Sequence, residues 1–237
     1  MRKEVIGNAT LYLGDCFDVM REIATYGIDL ILADPPYGIG ESNEKNLTRG
    51  HKGIKPTNFG NYTWDQKKLD QSYFYEMLRI SKNQIIFGGN YYTDFLHNTN
   101  CWIVWDKNNT GDFADCELAW TSFNTAVRKF KYTWNGMLQE NMMNKENRVH
   151  PTQKPIPLME WIIDKYSTHN QTVLDPFMGS GTTGVACANL HRQFLGIELE
   201  PKYFEIACKR IEDAQRQLSL FHDIETKPAK QLNLMAV

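Results

Sequence analysis

Three short stretches of this 237-residue chain combine residue types that chemistry can use. In "DPPY", a carboxylate (Asp34), two prolines (Pro35, Pro36) and an aromatic ring (Tyr37) follow directly on the apolar run "IDLILA". Proline fixes φ, so Asp34 and the Pro35 carbonyl would be held as acceptors aimed at one spot, with the Tyr37 ring beside them. That arrangement suits an exocyclic amine on a flat base, although the tetrapeptide alone reads first as a stiff turn at a strand end. The second stretch, "TVLDPFMGSGTTGVA", is a strand ending at Asp175, then small residues, then a helix start. Small residues let backbone approach a ligand, and the free N–H groups of a helix N-terminus favour negative charge. The third, "FLGIELE", carries Glu198, about 20 residues on, the offset at which an acid can hydrogen-bond a ribose hydroxyl.

The second and third stretches together describe a nucleoside site. No "GK[ST]" follows the glycines, which disfavours a triphosphate, whereas "GSGTTG" does match the GxGxxG dinucleotide pattern. A nicotinamide-dependent dehydrogenase therefore stays open at this point, but it leaves "DPPY" unexplained.

These residues need elements to position them. "ATLYLGD" and "IDLILADPPY" read as buried strands separated by the helix-like "CFDVMREIATYG", with Gly27 where a C-cap would sit. "DQKKLDQSYFYEMLRIS" reads as a helix, "QIIFGG" as a strand, "YYTDFLHN" as a short helix and "CWIVWDK" as a strand. Further on come a helix at "PIPLMEWIIDKYS", the strand "TVLDPF", a helix at "TTGVACANLH", the strand "FLGIELE" and a long helix from Pro201. Such alternation implies an α/β fold, a mostly parallel twisted sheet with helices on both faces. Ligands of such sheets bind beyond the carboxyl ends of the strands, where all three stretches fall. Two regions break the pattern: a Gly-, Asn- and Lys-rich loop over about 38–63 and an aromatic, β-like insertion over about 108–149. One catalytic domain over 1–217 and a C-terminal tail over 218–237 complete the expected organisation.

The totals narrow the setting. A net charge of −2 offers no global attraction for nucleic acid, so any DNA or RNA binding would have to use a local basic patch. The five cysteines are scattered and never form a CxxC pair, which argues against a disulfide framework and a zinc site and fits a cytoplasmic location. No stretch reads as a signal peptide or a membrane span, and no metal is expected.

"DPPY" followed far downstream by "DPFMGSGTT", with "HPTQKP" just before the latter, closely resembles the S-adenosylmethionine-dependent DNA amino-methyltransferases, which modify adenine N6 or cytosine N4. The motif order is that of their β group, a circular permutation of the Rossmann-like methyltransferase fold. The resemblance implies that Asp34, Pro35, Pro36 and Tyr37 form the catalytic tetrapeptide. It implies a cofactor loop of Asp175, Phe177, Gly179, Ser180, Gly181 and Thr182, with Glu198 on the cofactor ribose. Asp15 and Cys16 match a segment near the cofactor adenine, and Thr152, Lys154 and Pro155 match the segment at the methionine end.

The activity it implies is methyl transfer to a flipped base, with Tyr37 stacking on it. "DPPY" is the more adenine-like form within the family, so adenine N6 leads, with cytosine N4 and a non-catalytic S-adenosylmethionine- or DNA-binding module as alternatives. DNA contacts are expected from Lys45, Arg49, Lys52 and Lys55 in the loop, and from Arg128, Lys129 and Lys131 in "VRKFKYTW". A homodimer and a cognate restriction nuclease are open as partners.

Overall fold

A computed structural model describes residues 1–38, 68–109, 114–135 and 138–226. Among them β1 (Arg2–Ile6) and β2 (Ala9–Leu13) form an antiparallel hairpin turned at Gly7, and α1 (Cys16–Arg21) leads to β3 (Ile28–Ala33). Next come α2 (Gln71–Ile80), β4 (Ser81–Phe87), β5 (Trp102–Asp106), β6 (Cys116–Thr121) and β7 (Arg128–Lys131). A small hairpin of β8 (Trp134–Asn135) and β9 (Leu138–Gln139) precedes α3 (Ile156–Tyr166), β10 (Thr172–Asp175), α4 (Thr182–Asn189), β11 (Gln193–Glu198) and α5 (Pro201–Thr226).

Among the described residues the main sheet has nine strands in the order β1-β2-β11-β10-β3-β4-β6-β5-β7. Its centre, β2-β11-β10-β3-β4, is parallel throughout. Side chains from the two sheet faces enter two separate cores. Leu158, Ile162 and Ile163 of α3, Ala186 and Cys187 of α4 and Phe204, Ala207 and Ile211 of α5 fill one. Val19 and Met20 of α1 and Phe74, Met77 and Ile80 of α2 fill the other. The expected α/β sheet with helices on both faces is the observed one.

The strand order creates the site. The chain leaves β3 through α2 towards β4 on one side, and leaves β10 through α4 towards β11 on the other. Adjacent parallel strands whose connections diverge leave a crevice beyond their carboxyl ends. "DPPY" ends β3 and "DPFMGSG" ends β10, so the two motifs face one another across that crevice.

Several expectations change. The first helix stops at Arg21, because the Arg79 guanidinium donates to the carbonyls of Met20 and Ile23 and closes its end. Tyr26, not Gly27, takes the left-handed conformation. "YYTDFLHN" is not a helix: a single 3-10 turn over Gly89–Tyr91 is followed by tight turns pinned by the buried Tyr92. Within 108–149, β6 and β7 belong to the main sheet, β6 inserted antiparallel between β4 and β5. The final helix continues through Thr226, into the segment expected as a tail.

Candidate active site

The glycine loop is built by two acids. Asp175 ends β10, with one carboxylate oxygen accepting the Phe177 N–H (3.0 Å) and the other the Thr183 hydroxyl (2.6 Å), so it clamps both ends of the loop. Glu198 ends β11 and accepts the N–H groups of Gly179 (2.9 Å) and Glu200 (2.8 Å). Gly179 and Gly181 both have positive φ, +51° and +79°. A Cβ on Gly181 would lie 2.9 Å from Cβ of Ala207, so glycine is required there to seat α4 against α5. Burial pushes both carboxyls up, Asp175 to about 7 and Glu198 to about 7, despite their hydrogen bonds.

The end of β2 lies beside Glu198, where the Gly14 N–H donates to the Glu198 carbonyl (2.9 Å). Asp15 there caps α1 by accepting the Phe17 N–H (2.8 Å), and Cys16 is buried, its thiol pushed up by burial. From the third side comes "HPTQKP". The carbonyl of Gln153 accepts the Trp134 indole N–H (3.0 Å) and its side chain accepts the Val149 N–H (3.0 Å), which ties the segment to β8. Thr152 packs its hydroxyl on His150 (3.2 Å), whose ring sits edge-on to Tyr203. Burial lowers the His150 pKa to about 3, so this imidazole is neutral. Pro155 caps α3.

These segments enclose a cavity of about 210 Å³. Of the expected cofactor residues, Asp15, Cys16, Thr152, Lys154, Asp175, Phe177, Gly179, Ser180, Thr182 and Glu198 line it. Pro155 and Gly181 do not, and serve as helix caps. The hydroxyls of Ser180 and Thr182 are engaged by the Arg210 guanidinium (2.9 and 3.2 Å). Asp34 and Pro36 open into the same cavity.

"DPPY" is held more tightly than its composition suggested. Asp34 accepts the Tyr37 hydroxyl on Oδ1 (2.6 Å) and the Lys154 ammonium on Oδ2 (2.5 Å). Pro35 is buried, and the Tyr92 hydroxyl donates to the Pro36 carbonyl. The Tyr37 ring stacks on Tyr91, centroids 4.9 Å apart, with its edge against Gly88, where any Cβ would overlap it. Burial and Asp34 raise the Tyr37 phenol well above its ordinary value, so it stays a donor. Lys154, expected at the methionine end, lines the cavity yet commits its ammonium to Asp34 and to Glu117 (3.2 Å).

A family model described as DNA methylase matches residues 97–209, the span from β5 to α5 that carries "HPTQKP" and the glycine loop. The Type II methyltransferase M.HinfI of Haemophilus influenzae is 28% identical over 278 aligned residues, covering 97% of this chain and 77% of that protein. The Type II methyltransferase M2.MboI of Moraxella bovis is 27% identical over 95% of each chain. The solved complex of M1.HpyAVI with SAM is 28% identical, with a TM-score of 0.55 over 85% of this chain and 99% of that one.

These matches support a DNA amino-methyltransferase. The cytosine-N4-specific PvuII DNA methyltransferase, 14% identical with a TM-score of 0.59 over 90% of this chain and 93% of that one, shares the fold.

The methyltransferase cavity fits S-adenosylmethionine by its own chemistry. Asp15, Asp34, Asp175, Glu198 and Glu200 line one small space, and a sulfonium cation there would favour the ionised form of the Asp175 and Glu198 carboxyls, which burial chiefly and neighbouring carboxylates to a lesser degree push up. Phe177, Ile197 and Leu199 offer apolar surface beside Glu198 for a nucleoside. Tyr73 and Leu69, unforeseen from sequence, close the cavity from α2 and the segment before it.

The expected DNA contacts divide. Arg128, Lys129 and Lys131 are exposed on β7, an edge strand whose Phe130 turns inward onto Trp161. Because β7 runs parallel to β5 and β6 returns antiparallel, the carboxyl end of β7 lies on the same side of the sheet as the cavity. Lys129 pairs with Asp106 (3.3 Å). Lys45, Arg49, Lys52 and Lys55 lie outside the described residues.

Proposed function

We propose that this methyltransferase acts site-specifically on DNA, moving a methyl group to the N6 amine of adenine after the base is flipped from the duplex. The observation that carries the reading is Asp34, fixed by Tyr37 and Lys154 at the mouth of an acidic cavity that fits the methyl donor. When bound, S-adenosylmethionine supplies an electrophilic methyl on sulfur.

An aromatic amine is a weak nucleophile because its lone pair is delocalised into the ring. Each carboxylate oxygen has two lone pairs, so Asp34 keeps acceptor capacity beyond Tyr37 and Lys154. A hydrogen bond from the amine to Asp34, and a second to the Pro35 carbonyl, biases the nitrogen towards the pyramidal form. The new N–C bond then forms as the C–S bond breaks, and the nitrogen gives up one proton along its bond to Asp34, which passes it to water. Acceptors already fixed in a closed site supply much of the gain through orientation and electrostatics. Tyr91 already stacks on one face of the Tyr37 ring, so a flipped adenine either displaces Tyr91 or extends the stack on the other face.

Arg128, Lys129 and Lys131, with the loop cations, supply the phosphate contacts in this reading. A cytoplasmic enzyme paired with a nuclease of the same specificity accords with relatives that are Type II methyltransferases. Expression in methylation-deficient bacteria, followed by modified-base sequencing, should reveal N6-methyladenine at one short sequence. Finding only N4-methylcytosine would overturn the adenine assignment, and unmodified DNA would overturn the activity.

A further inference from the structure

We propose that Glu117 on β6 is a positioning residue for methyl transfer: through the Lys154 ammonium it fixes the Asp34 carboxylate and balances the charge beside the reacting amine. The proposal rests on Asp34 being the acceptor in the reading above. Pairing of Phe87 with Ala119 carries β6 past the carboxyl end of β4, and Glu117 lies two residues further along. There it meets Lys154, whose side chain is 6% exposed and points its ammonium at three things. These are Asp34 Oδ2 at 2.5 Å, Glu117 Oε2 at 3.2 Å and the face of Phe87, 5.0 Å from the ring centroid. The other Glu117 oxygen takes the ammonium of Lys107.

Two carboxylates and two ammonium groups thus form one chain, Asp34–Lys154–Glu117–Lys107, with no net charge. Glu117 and Lys154 both stay ionised. Burial alone would push Glu117 up and Lys154 down, but the opposite charges reverse both, leaving Glu117 below and Lys154 above its ordinary value. Without the Glu117 charge, the site carries one excess positive charge next to a nitrogen that itself becomes more positive as the N–C bond forms. The same loss frees Lys154 to pull Asp34 out of line. Both effects weigh most on the transition state, and Glu117 itself is not among the residues that line the donor cavity, so the signature is a loss of kcat at constant KM.

Glu117→Gln keeps the shape and removes the charge. Its kcat should fall about 10- to 100-fold, with the KM for DNA and the S-adenosylmethionine dissociation constant within about threefold of wild type. In a Lys154→Met background, Glu117→Gln should cost less than about twofold more, because its effect passes through Lys154. A kcat for Glu117→Gln within twofold of wild type, or two losses that simply multiply, would overturn the positioning role. A wild-type protein that methylates no DNA would instead overturn the activity on which it rests. Thermal unfolding checks the fold of each variant; should Glu117→Gln not fold, Glu117→Met, apolar and of the same length, carries the same comparison.

Discussion

The site depends on a carboxylate whose surroundings are already organised. Asp34 does not wait for a substrate to be oriented, since Tyr37 and Lys154 each hold one of its oxygens. Asp34→Asn keeps the size and the Tyr37 contact but loses the charge and one acceptor. We expect kcat to fall by about 10³-fold, within the range for loss of a proton acceptor. Equilibrium binding of S-adenosylmethionine should persist, because Glu198, Asp175 and the glycine loop are untouched. A calorimetric titration showing binding abolished along with turnover would mean that Asp34 serves the donor site rather than the amine. At this scale the sequence was informative about residue types and silent about partners. "DPPY" could be singled out by its own composition, but its cation, Lys154, lies 120 residues away and comes close only because β3 and the segment before α3 meet at one sheet end. Glu117 shows why the rest was hidden: a glutamate in "CELAWT" looks like an ordinary half-buried strand residue until β6 is known to sit beside β4.

At the scale of elements, the glycine loop and α4 set the stability of the donor site. Gly179 and Gly181 differ in a way that sequence alone could not show. A Cβ on Gly179 would meet His150 at an ordinary 3.6 Å, whereas one on Gly181 would meet both Cβ and Cα of Ala207 at 2.9 and 3.0 Å. Gly179→Ala therefore adds only the cost of a left-handed backbone, about 1 kcal/mol. Gly181→Ala adds steric overlap to that cost and should destabilise by about 2–4 kcal/mol. Urea unfolding of the two variants should rank them in that order; equal midpoints would mean that α5 moves aside freely. The alternation of strands and helices was readable because periods of 2 and 3.6 residues are local properties. The place of β6 was not, since an antiparallel strand slipped between β4 and β5 depends on pairing between distant segments.

The whole molecule carries this electrostatic design as a pH response. Asp175 and Glu198, each raised to about 7, bind protons more tightly folded than unfolded. Their contribution to stability is full below the unfolded value, near 4, and is lost as pH rises through about 7. His150, lowered to about 3, acts in the opposite sense: its contribution is full above about 6.5 and is lost as pH falls towards 3. Two raised carboxyls outweigh one lowered imidazole, so the free protein should lose several degrees of Tm between about pH 5 and pH 8.5. S-adenosylmethionine should raise Tm more at pH 8.5 than at pH 6, because a cation favours the ionised carboxylates. Scanning calorimetry across that range with and without the donor measures both, and a donor effect independent of pH would contradict the charge argument.

The amino-acid sequence by itself determined the α/β class, the order of the motifs and the residue types suited to a nucleoside and to an amine proton, because these follow from short-range periodicity and local composition. The tertiary structure alone decided which charges face one another. It set Lys154 between Asp34 and Glu117, gave the hydroxyls of Ser180 and Thr182 to Arg210 and covered the Tyr37 ring with Tyr91. Each of these contacts joins segments far apart in the chain, and only the divergence of the connections leaving β3 and β10 brings their ends to a common crevice.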